Sequence, residues 1–548
     1  MSTDSFPAQT GSATGEVLAG PVRMAAARLE TMRLTRLGLL VFLSVLVVMS
    51  VWLRTRGIHM YYWIDEGLSV GIGSHPLTRI PSLLQQDGSP PLYYMTLHVW
   101  MQLFGRGEVA THDFSLLFAL LTIPVSYWAG ASLFGRRVGV ICAILAAGAP
   151  YLTIYAQETR MYSLLALQSI VISASFVHAF VRRRRRYLPV FSVSLAAALY
   201  THNWALFLAM TAAAAFLLCV WSAASDERRA LWRDGLIGAG AVLVLFAPWL
   251  PTLLYQARHT GAPWDLPPVI WSVSQGLYSL VGGRGAAVAL LLAGGSGLVA
   301  LTALTPVRGV AALRDTSDPQ RRLLAVSTLL IMGLGTLGIA FVYSKVTPAW
   351  AIRYLGVIVG PLIIVFALGL ARAGKFGVVA LALVACFWLL DPVATSRNTK
   401  SNIGRVAPIL RAKVGHDGLV LSTQPEQVPT LAYYFPGVAR FGTPLGPVPD
   451  PRVVDWRGAL NRLEHSSVRG VLMPMVNSLR PGQHILLVVP TNLPETPLWL
   501  KLIDRYSLTW ERALKHDRSL RKITSTEKGW PGSGLRVRAT LYVVRSYS

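Results

Sequence analysis

Three short motifs place carboxylates beside aromatic or cationic residues in otherwise apolar surroundings. They are Asp65-Glu66 after Tyr61-Tyr62-Trp63-Ile64, Asp87-Gly-Ser-Pro-Pro-Leu-Tyr-Tyr94, and Gln157-Glu158-Thr-Arg160-Met-Tyr162. A carboxylate can take a proton from a reacting group, and an arginine can bind a phosphate through two parallel hydrogen bonds. The motifs are therefore candidates for a site that does chemistry on a phosphate-containing molecule.

The spacing within two of these motifs limits what each residue can do. Adjacent side chains on a helix point in different directions, so Asp65 can face a reaction site while Glu66 binds structure or a cation. Glu158 and Arg160 cannot face one side of a helix, which argues against a simple ion pair between them. The alternative interpretation of the two acidic motifs, Asp65-Glu66 and Asp87, is a solvated or proline-anchored loop.

Two further positions carry polar groups at the edges of apolar stretches. Tyr200-Thr-His202-Asn-Trp204 ends one stretch, and Arg353-Tyr354 begins another, eight residues after Lys345. The alternatives are a hydrogen-bonded interfacial histidine and an arginine that reaches back to the membrane surface. Four other histidines show no ligand spacing and are interpreted as ordinary loop residues: His59, His75, His98 and His112.

The composition of the 548 residues indicates what positions these motifs. Hydrophobic residues make up 53% and charged residues only 14%, whereas soluble chains carry about 25% charged residues. An integral membrane protein follows, and disordered, collagenous and disulfide-framework proteins are excluded. Cys142, Cys219 and Cys386 lie in apolar stretches, where cysteine acts as a small core residue.

Membrane-spanning helices need about 20 mostly apolar residues. Eleven stretches meet this requirement approximately: 37–53, 114–134, 138–155, 161–181, 187–202, 204–222, 235–254, 287–305, 323–343, 354–371 and 376–391. The first of them begins too far into the chain to be a cleavable signal peptide.

The placement of lysine and arginine predicts the orientation. With the N-terminus inside, the inner segments hold twenty Lys and Arg, whereas the outer loops, including Arg54, hold nine. Cytoplasmic loops are enriched in these residues. The run Arg182–Arg186 is thus interpreted as a topology anchor, against the alternative of a nucleic-acid patch. An odd number of spans leaves the C-terminal region outside.

Three regions follow from this organisation. Residues 1–36 form a flexible cytoplasmic tail, 37–391 a transmembrane domain with a long first outer loop at 54–113, and 392–548 an extracytoplasmic α/β domain. The outer loop should hold two amphipathic surface helices, Pro76–Leu84 and Pro91–Phe104. The last region holds 22 Lys and Arg against 10 Asp and Glu. Its expected strands are 418–422 and 484–490, and its expected helices are 425–434 and 455–464.

The motifs, in this order and on this side of the membrane, resemble the GT-C membrane glycosyltransferases. The branch in question contains the protein O-mannosyltransferases and the lipid A aminoarabinose transferase. That family has an Asp-Glu pair in its first outer loop, then Pro-Pro-Leu-Tyr-Tyr and Gln-Glu-x-Arg-x-Tyr, here at 65–66, 90–94 and 157–162. The resemblance covers about 40–370. His112 departs from it, because relatives commonly carry an arginine nearby. Ser89 departs where relatives often have histidine or lysine, which puts a phosphate or metal role of that turn in doubt.

This resemblance implies a GT-C-like fold of about eleven transmembrane helices that uses a polyprenyl-phosphate sugar donor on the outer face. The expected reaction is an inverting displacement, with Asp65 as general base and Glu66 and Glu158 as further catalytic carboxylates. Four residues are expected to bind the donor phosphate: Arg160, Arg353, Lys345 and Tyr162. Five are expected to line the substrate groove: Asp87, Tyr93, Tyr94, His202 and Tyr354.

The partners implied are the donor, the lipid bilayer and an envelope glycan, lipid or protein acceptor, with no nucleic acid. High Ala, Arg and Gly content suggests a GC-rich bacterium, hence an inner (plasma) membrane location and a mannosyl- or arabinofuranosyltransferase. Participation of a divalent metal ion is left open, with four candidate ligands: Glu66, Asp87, Glu158 and His202.

Two other classes of protein are considered. A lipid-linked-glycan flippase or transporter places charges within its spans, whereas these spans are nearly free of charge. A non-catalytic scaffold that binds anionic envelope polymer would explain the basic C-terminal region. It would not explain the Asp-Glu and Glu-x-Arg motifs.

Overall fold

A computed structural model of the chain describes residues 36–302, 319–390, 400–491, 493, 497–526 and 536–546. The expected cytoplasmic tail lies outside the described residues except for Arg36. The described part contains these helices: α1 (Arg36–Arg54), α2 (Ile64–Gly73), α3 (Ile80–Asp87), α4 (Leu92–Phe104), α5 (Glu108–Phe134), α6 (Arg136–Gly148), α7 (Pro150–Tyr155), α8 (Tyr162–Phe176), α9 (Leu188–Leu199), α10 (Ala205–Trp221), α11 (Ser225–Phe246), α12 (Leu250–His259), α13 (Ile270–Val281), α14 (Arg284–Thr302), α15 (Pro319–Leu330), α16 (Thr336–Val346), α17 (Gly356–Arg372), α18 (Gly374–Leu390), α19 (Ile403–Val414), α20 (Val428–Tyr434), α21 (Ala459–Glu464), α22 (Met473–Asn477) and α23 (Leu498–His516).

Several helices are long and apolar enough to cross a membrane, which makes the chain a multi-pass membrane protein. Within the described residues there are six such segments: Leu37–Arg54, Glu108–Phe134, Tyr162–Val181, Ser225–His259, Pro319–Val346 and Ile352–Arg372. A seventh is possible if α13 and α14, which meet at 86°, form one broken span.

Each of the eleven predicted stretches contains a helix, but the number of spans stays a prediction. Helices such as α10 and α18 are apolar yet have only 17 residues each. The stretch 138–155 is divided into α6 and α7, with Pro150 as the first residue of α7. Proline lacks the N–H that would continue the hydrogen bonding of α6.

Two spans form the centre of the bundle and carry the arginines of the sequence motifs at their starts. In the spans Tyr162–Val181 and Ile352–Arg372, 89% of the most apolar 18-residue segment is buried inside the protein, compared with 22% in Leu37–Arg54. These two central helices touch closely, because a Cβ on Gly360 would lie 2.3 Å from the backbone of Ser169. The Gly360 N–H also donates to Ser169 Oγ at 2.8 Å. The backbone after Arg160 and that after Arg353 are thereby held in register.

Three of the cation-rich loops that were predicted to lie on one side of the membrane contact each other. Arg183 lies 3.2 Å from a Glu227 carboxylate oxygen, and Arg321 lies 3.7 Å from the other oxygen of that carboxylate. Arg185 contacts Asp234 at 3.0 Å. These ion pairs join three loops that the lysine and arginine distribution assigns to the inner face.

Arg54 corrects one assignment of that distribution. It was expected to be an outer-loop residue, but it is the last residue of α1 and is fully buried. Its guanidinium donates to the carbonyl oxygens of Ala119 at 2.7 Å and Ala146 at 2.5 Å. The last carbonyls of a helix have no partner within the helix. Arg54 therefore caps the end of α6, where Pro150 interrupts the helical segment.

The C-terminal domain contains a six-stranded mixed sheet. Its strands are β1 (Leu419–Ser422), β2 (Arg440–Thr443), β3 (Gly446–Val448), β4 (His484–Thr491), β5 (Leu520–Ser525) and β6 (Arg536–Val544). The spatial order is β3-β2-β1-β4-β6-β5, with β1 parallel to both β2 and β4 and the other pairs antiparallel. The predicted strands 418–422 and 484–490 correspond to β1 and β4.

Alternate residues of β1 and β4 face two layers of helices, as the two-residue period of a strand requires. Val420 and Leu486 pack with the cluster formed by α19 and α20. Leu421 and Leu487 belong to the other large cluster, which includes Trp499 of α23. The predicted helices 425–434 and 455–464 correspond to α20 and α21, which begin three and four residues later than expected.

This C-terminal domain packs directly against the segment between α1 and α5. The Tyr62 N–H donates to the Tyr434 hydroxyl at 2.9 Å, and that hydroxyl donates to Glu108 at 2.8 Å. Gly67 of α2 is so close to Thr430 that a Cβ would lie 2.2 Å from Thr430 Oγ1. Helix α2, which begins one residue before Asp65, is therefore held between the transmembrane bundle and the C-terminal domain.

Candidate functional site

Asp65, Arg160 and Arg353 come together from three distant segments of the chain. Asp65 lies in the first turn of α2, Arg160 in the turn between α7 and α8, and Arg353 in a 3₁₀ turn, Ile352–Leu355, before α17. Asp65 Oδ2 lies 4.0 Å from Arg160 Nε and 3.8 Å from Arg353 Nε. Two cations thus flank one carboxylate, and the sequence predicted all three as site residues.

Arg160 is fixed in place by hydrogen bonds from its terminal nitrogens. One of them donates to the Asp65 carbonyl at 3.3 Å, to Ser69 Oγ at 3.0 Å and to the Tyr94 hydroxyl at 3.3 Å. The other donates to the Tyr162 hydroxyl at 3.5 Å. The Arg160 side chain is therefore held in one orientation, although not all of its N–H groups have a hydrogen-bond partner among the described residues.

The Nε–H groups of both arginines are buried and have no hydrogen-bond partner in the described part of the chain. Their separations from Asp65 are too long for hydrogen bonds. A buried N–H group without a partner is costly, and an arginine N–H binds an anionic oxygen well. The pair Arg160 and Arg353 therefore has unused capacity to bind an anion beside Asp65.

Aromatic rings surround the two arginines on one side. Between ring centroids, Tyr354 lies 4.6 Å from His202. The Tyr162 ring lies 6.1 Å from the His202 ring and 6.3 Å from the Tyr354 ring. The Arg353 guanidinium is 5.2 Å from the Tyr354 ring. His202 Nδ1 accepts the Trp204 N–H at 3.1 Å. Three predicted residues, Tyr162, His202 and Tyr354, thus form one wall of the site.

Asp87 and the two tyrosines of the Pro-Pro-Leu-Tyr-Tyr motif lie on another side. Asp87 is the last residue of α3, and burial raises its pKa to about 6, although Ser89 and Arg160 act in the opposite direction. The Tyr93 hydroxyl pairs with Ser115 at 3.3 Å. A carboxyl group with a pKa near 6 changes its charge readily near neutral pH, so a bound anion would favour its neutral form.

Glu66 points away from Asp65 into a separate, fully buried network. Glu66 Oε1 accepts hydrogen bonds from His112 Nε2 at 2.7 Å, from the Thr159 N–H at 2.9 Å and from Lys400 Nζ at 2.9 Å. Burial by itself would raise the pKa of this carboxyl, but Lys400 and His112 outweigh burial and lower it to about 2. The adjacent carboxylates thus point to different surroundings, as their spacing predicts.

The structure places the remaining predicted residues less centrally. Glu158 is buried in the turn before Arg160, and its carbonyl accepts the Arg160 N–H at 2.7 Å. Lys345 is exposed near the end of α16, with its Nζ 5.3 Å from the ring of Phe341. No contact within the described residues joins Lys345 to either arginine of the site.

Sequence reasoning missed several charged residues around the site. His112 is part of α5 and binds Glu66, so its interpretation as an ordinary loop residue was wrong. Lys400 comes from the C-terminal domain and was not considered. Asp265 lies near Arg353, and burial raises its pKa to about 6. A signal existed only for His112, because the resembling family commonly carries a cation near this position.

The four candidate metal ligands do not come together. Glu66 is bound to Lys400 and His112, whereas His202 lies against Tyr354. Among the described residues, no group of three or more His, Cys, Asp or Glu side chains is arranged to hold a metal ion.

A family model agrees with part of the sequence resemblance. The model described as dolichyl-phosphate-mannose-protein mannosyltransferase matches residues 88–252. This segment includes the motifs at 90–94 and 157–162 and also His202, but it contains neither Asp65 nor Arg353. A comparison with curated protein sequences finds no match.

Several solved structures are similar to this chain in fold. ArnT from Cupriavidus metallidurans in the apo state has a TM-score of 0.63 and 14% identity, covering 92% of this chain and 97% of ArnT. The same protein bound to undecaprenyl phosphate has a TM-score of 0.59, with the same identity and coverage. Arabinofuranosyltransferase AftD from Mycobacteria has a TM-score of 0.51 and 15% identity, covering 94% of this chain and 40% of AftD. At sequence identities of 14% and 15%, this similarity establishes the fold alone.

Proposed function

Because this chain has the fold of the GT-C glycosyltransferase superfamily, we propose that it transfers a sugar from a polyprenyl-phosphate donor. The acceptor is a hydroxyl group on an envelope glycan, lipid or protein at the outer face of a bacterial inner membrane. The transferred sugar is mannose or arabinofuranose, the two sugars handled by the matching family and by AftD. The solved structure of ArnT with undecaprenyl phosphate supports a donor of this chemical class.

The observation that carries this proposal is the arrangement of Arg160 and Arg353 around Asp65. Both arginines stand at the starts of the two most buried spans, where a lipid phosphate can reach them while its chain stays in the bilayer. Their unpartnered Nε–H groups supply two hydrogen bonds for a phosphate oxygen. Guanidinium groups bind phosphate more specifically than ammonium groups do. The role proposed for Lys345 is to attract the donor from its exposed position.

The proposed reaction is a direct displacement at the anomeric carbon. The acceptor oxygen forms a bond to that carbon as the bond from the carbon to the phosphate oxygen breaks. The bonding electrons leave with the phosphate, whose charge Arg160 and Arg353 stabilise. The hydroxyl proton passes to the Asp65 carboxylate, which acts as general base. One displacement of this kind inverts the configuration of the sugar.

The remaining groups complete this mechanism without covalent chemistry. The wall of Tyr162, His202 and Tyr354 gives a sugar ring an aromatic and polar surface beside the phosphate site. Asp87, with its pKa of about 6, and the adjacent Tyr94 lie where they can bind sugar or acceptor hydroxyls. We assign Glu158 to holding the turn that presents Arg160.

Transfer can be tested directly with the purified full-length chain in lipid nanodiscs. Radiolabelled polyprenyl-phosphate mannose and polyprenyl-phosphate arabinofuranose are supplied separately with mixed envelope glycans, lipids and proteins. We expect label to enter a macromolecular or lipid acceptor from one of the donors, and the Asp65→Asn variant to show no comparable transfer. Equal labelling by wild type and variant would contradict the role of Asp65 as general base. Labelling from neither donor, with movement of the lipid donor across the membrane in a parallel vesicle assay, would contradict a transferase.

The orientation of the chain has its own test. With the N-terminus cytoplasmic and eleven spans, the C-terminal domain lies outside the cytoplasm. A reporter that works only in the periplasm is fused after Ser548, and the same reporter after the cation-rich loop at 182–186 serves as the control. We expect activity from the first fusion and none from the second. The reverse pattern would place the site on the wrong face for a lipid-linked donor.

A further inference from the structure

Lys400 is the first described residue of the C-terminal domain, and its charged end is buried in the transmembrane part of the protein. Its Nζ lies 2.9 Å from Glu66 Oε1 and also donates to the carbonyl oxygen of Gln157. The Lys400 side chain is 7% exposed and that of Glu66 is fully buried. A lysine is rarely buried to this extent unless it is paired.

Glu66, the carboxylate that Lys400 contacts, also contacts His112. His112 Nδ1 lies 2.7 Å from the Ile58 carbonyl oxygen, and His112 Nε2 lies 2.7 Å from Glu66 Oε1. Both of these oxygens accept hydrogen bonds, so both ring nitrogens of His112 are engaged and the ring is fixed between Ile58 and Glu66. Glu66 is therefore held by the Lys400 ammonium group, by the His112 ring and by the backbone N–H groups of Thr159 and Trp63.

The neighbours of this network in sequence are the residues proposed to do the chemistry. Glu66 directly follows Asp65, and Thr159 directly precedes Arg160. Lys400 joins these two segments because it contacts both Glu66 and the carbonyl of Gln157. Charged hydrogen bonds are roughly twice as strong as neutral ones. By holding the backbone next to Asp65 and next to Arg160, the network thus fixes the relative position of the Asp65 carboxylate and the Arg160 guanidinium.

We propose that Lys400 is a positioning residue, through which the C-terminal domain sets the geometry of the Asp65 and Arg160 site. This inference rests on the proposed function of that site. It gives the C-terminal domain a part in organising the catalytic loops, in addition to any contact with the acceptor. The domain also packs against α2, the helix that contains Glu66, through the contact between Thr430 and Gly67.

The test is a double-mutant cycle with Lys400→Met and Glu66→Gln in the full-length chain in nanodiscs. Two quantities are measured: the affinity for undecaprenyl phosphate alone, and amide hydrogen exchange in 64–70 and 157–162. We expect Lys400→Met to weaken binding about tenfold or more and to speed exchange in both segments. The double variant should be less impaired than the sum of the two single variants predicts, because no unpaired carboxylate stays buried.

Lys501→Met provides the matched control, because Lys501 is an exposed lysine on α23 of the same domain. We expect wild-type binding and wild-type exchange from it. Wild-type exchange in Lys400→Met would overturn the proposal. So would strictly additive effects of the two substitutions, because Lys400 would then not act through Glu66.

Hydrogen exchange also separates this inference from the proposed function. If wild-type protein fails to bind undecaprenyl phosphate or to transfer sugar, the proposed function is wrong. The coupling between Lys400 and Glu66 is still read from the exchange rates of 64–70 and 157–162. If binding and transfer occur but exchange is insensitive to Lys400→Met, only the positioning role fails.

Discussion

Asp65→Asn is expected to lower the turnover number by a factor of about 10²–10⁴, the usual contribution of a general base. Asparagine keeps the shape of the side chain but cannot take the proton of an acceptor hydroxyl. Binding of undecaprenyl phosphate should be unchanged or tighter, because the variant removes a negative charge 3.8 Å and 4.0 Å from the two arginines. Initial-rate kinetics together with direct binding measurements check both expectations.

Two controls make the result specific for Asp65. Asp504→Asn changes an exposed carboxylate of α23 and should leave turnover at the wild-type value. Product analysis of the wild-type reaction should show inverted configuration at the anomeric carbon. Normal turnover in Asp65→Asn, with loss of turnover in Glu66→Gln or Glu158→Gln, would show that the base lies elsewhere.

Arg160→Lys and Arg353→Lys should each weaken use of the donor by a factor of about 10–100, because a hydrogen bond to a charged group contributes about 1.5–3 kcal/mol. Lysine keeps the charge, but it has no counterpart of the Nε–H group that each arginine leaves without a partner in the described part of the chain. The ammonium group also lacks the planar, forked geometry with which a guanidinium binds phosphate. The loss should appear in kcat/KM for the donor and in the affinity for undecaprenyl phosphate. The KM for the acceptor should change little.

Arg505→Lys, at an exposed position on α23, controls for the substitution itself and should be neutral. Wild-type kinetics in both Arg160→Lys and Arg353→Lys would refute the phosphate site. A loss confined to the acceptor KM would move these arginines to the acceptor side of the reaction.

Local sequence patterns predicted most elements of this fold. Apolar runs of sufficient length located a helix in each of the eleven stretches, and strands β1 and β4 were found from runs of three and five apolar residues. These patterns are local because burial on all sides requires an uninterrupted apolar sequence. The expected helix at 76–84 was displaced to Ile80–Asp87, since the chain turns at Ser74–Arg79 before α3 begins.

The candidate site was predicted in part, for a different reason. Asp65, Arg160 and Arg353 belong to recognisable motifs, so their proximity was expected even though 95 residues separate the first two. Lys400 lies 334 residues from Glu66 and has no motif around it. Its burial depends on how the C-terminal domain sits on α2. Lys345 was expected at the site because it lies eight residues from Arg353, and its role there stays a prediction, since no contact among the described residues joins it to the two arginines.

The buried position of Arg54 implies an order in which the helices of this protein are inserted into the membrane. Its partners Ala119 and Ala146 are 65 and 92 residues further along the chain, so neither exists when the first span leaves the ribosome. A lone arginine within the hydrocarbon region is costly. We therefore expect the nascent first span to keep Arg54 at the membrane surface. It reaches its final depth only after the hairpin of α5 and α6 has been inserted.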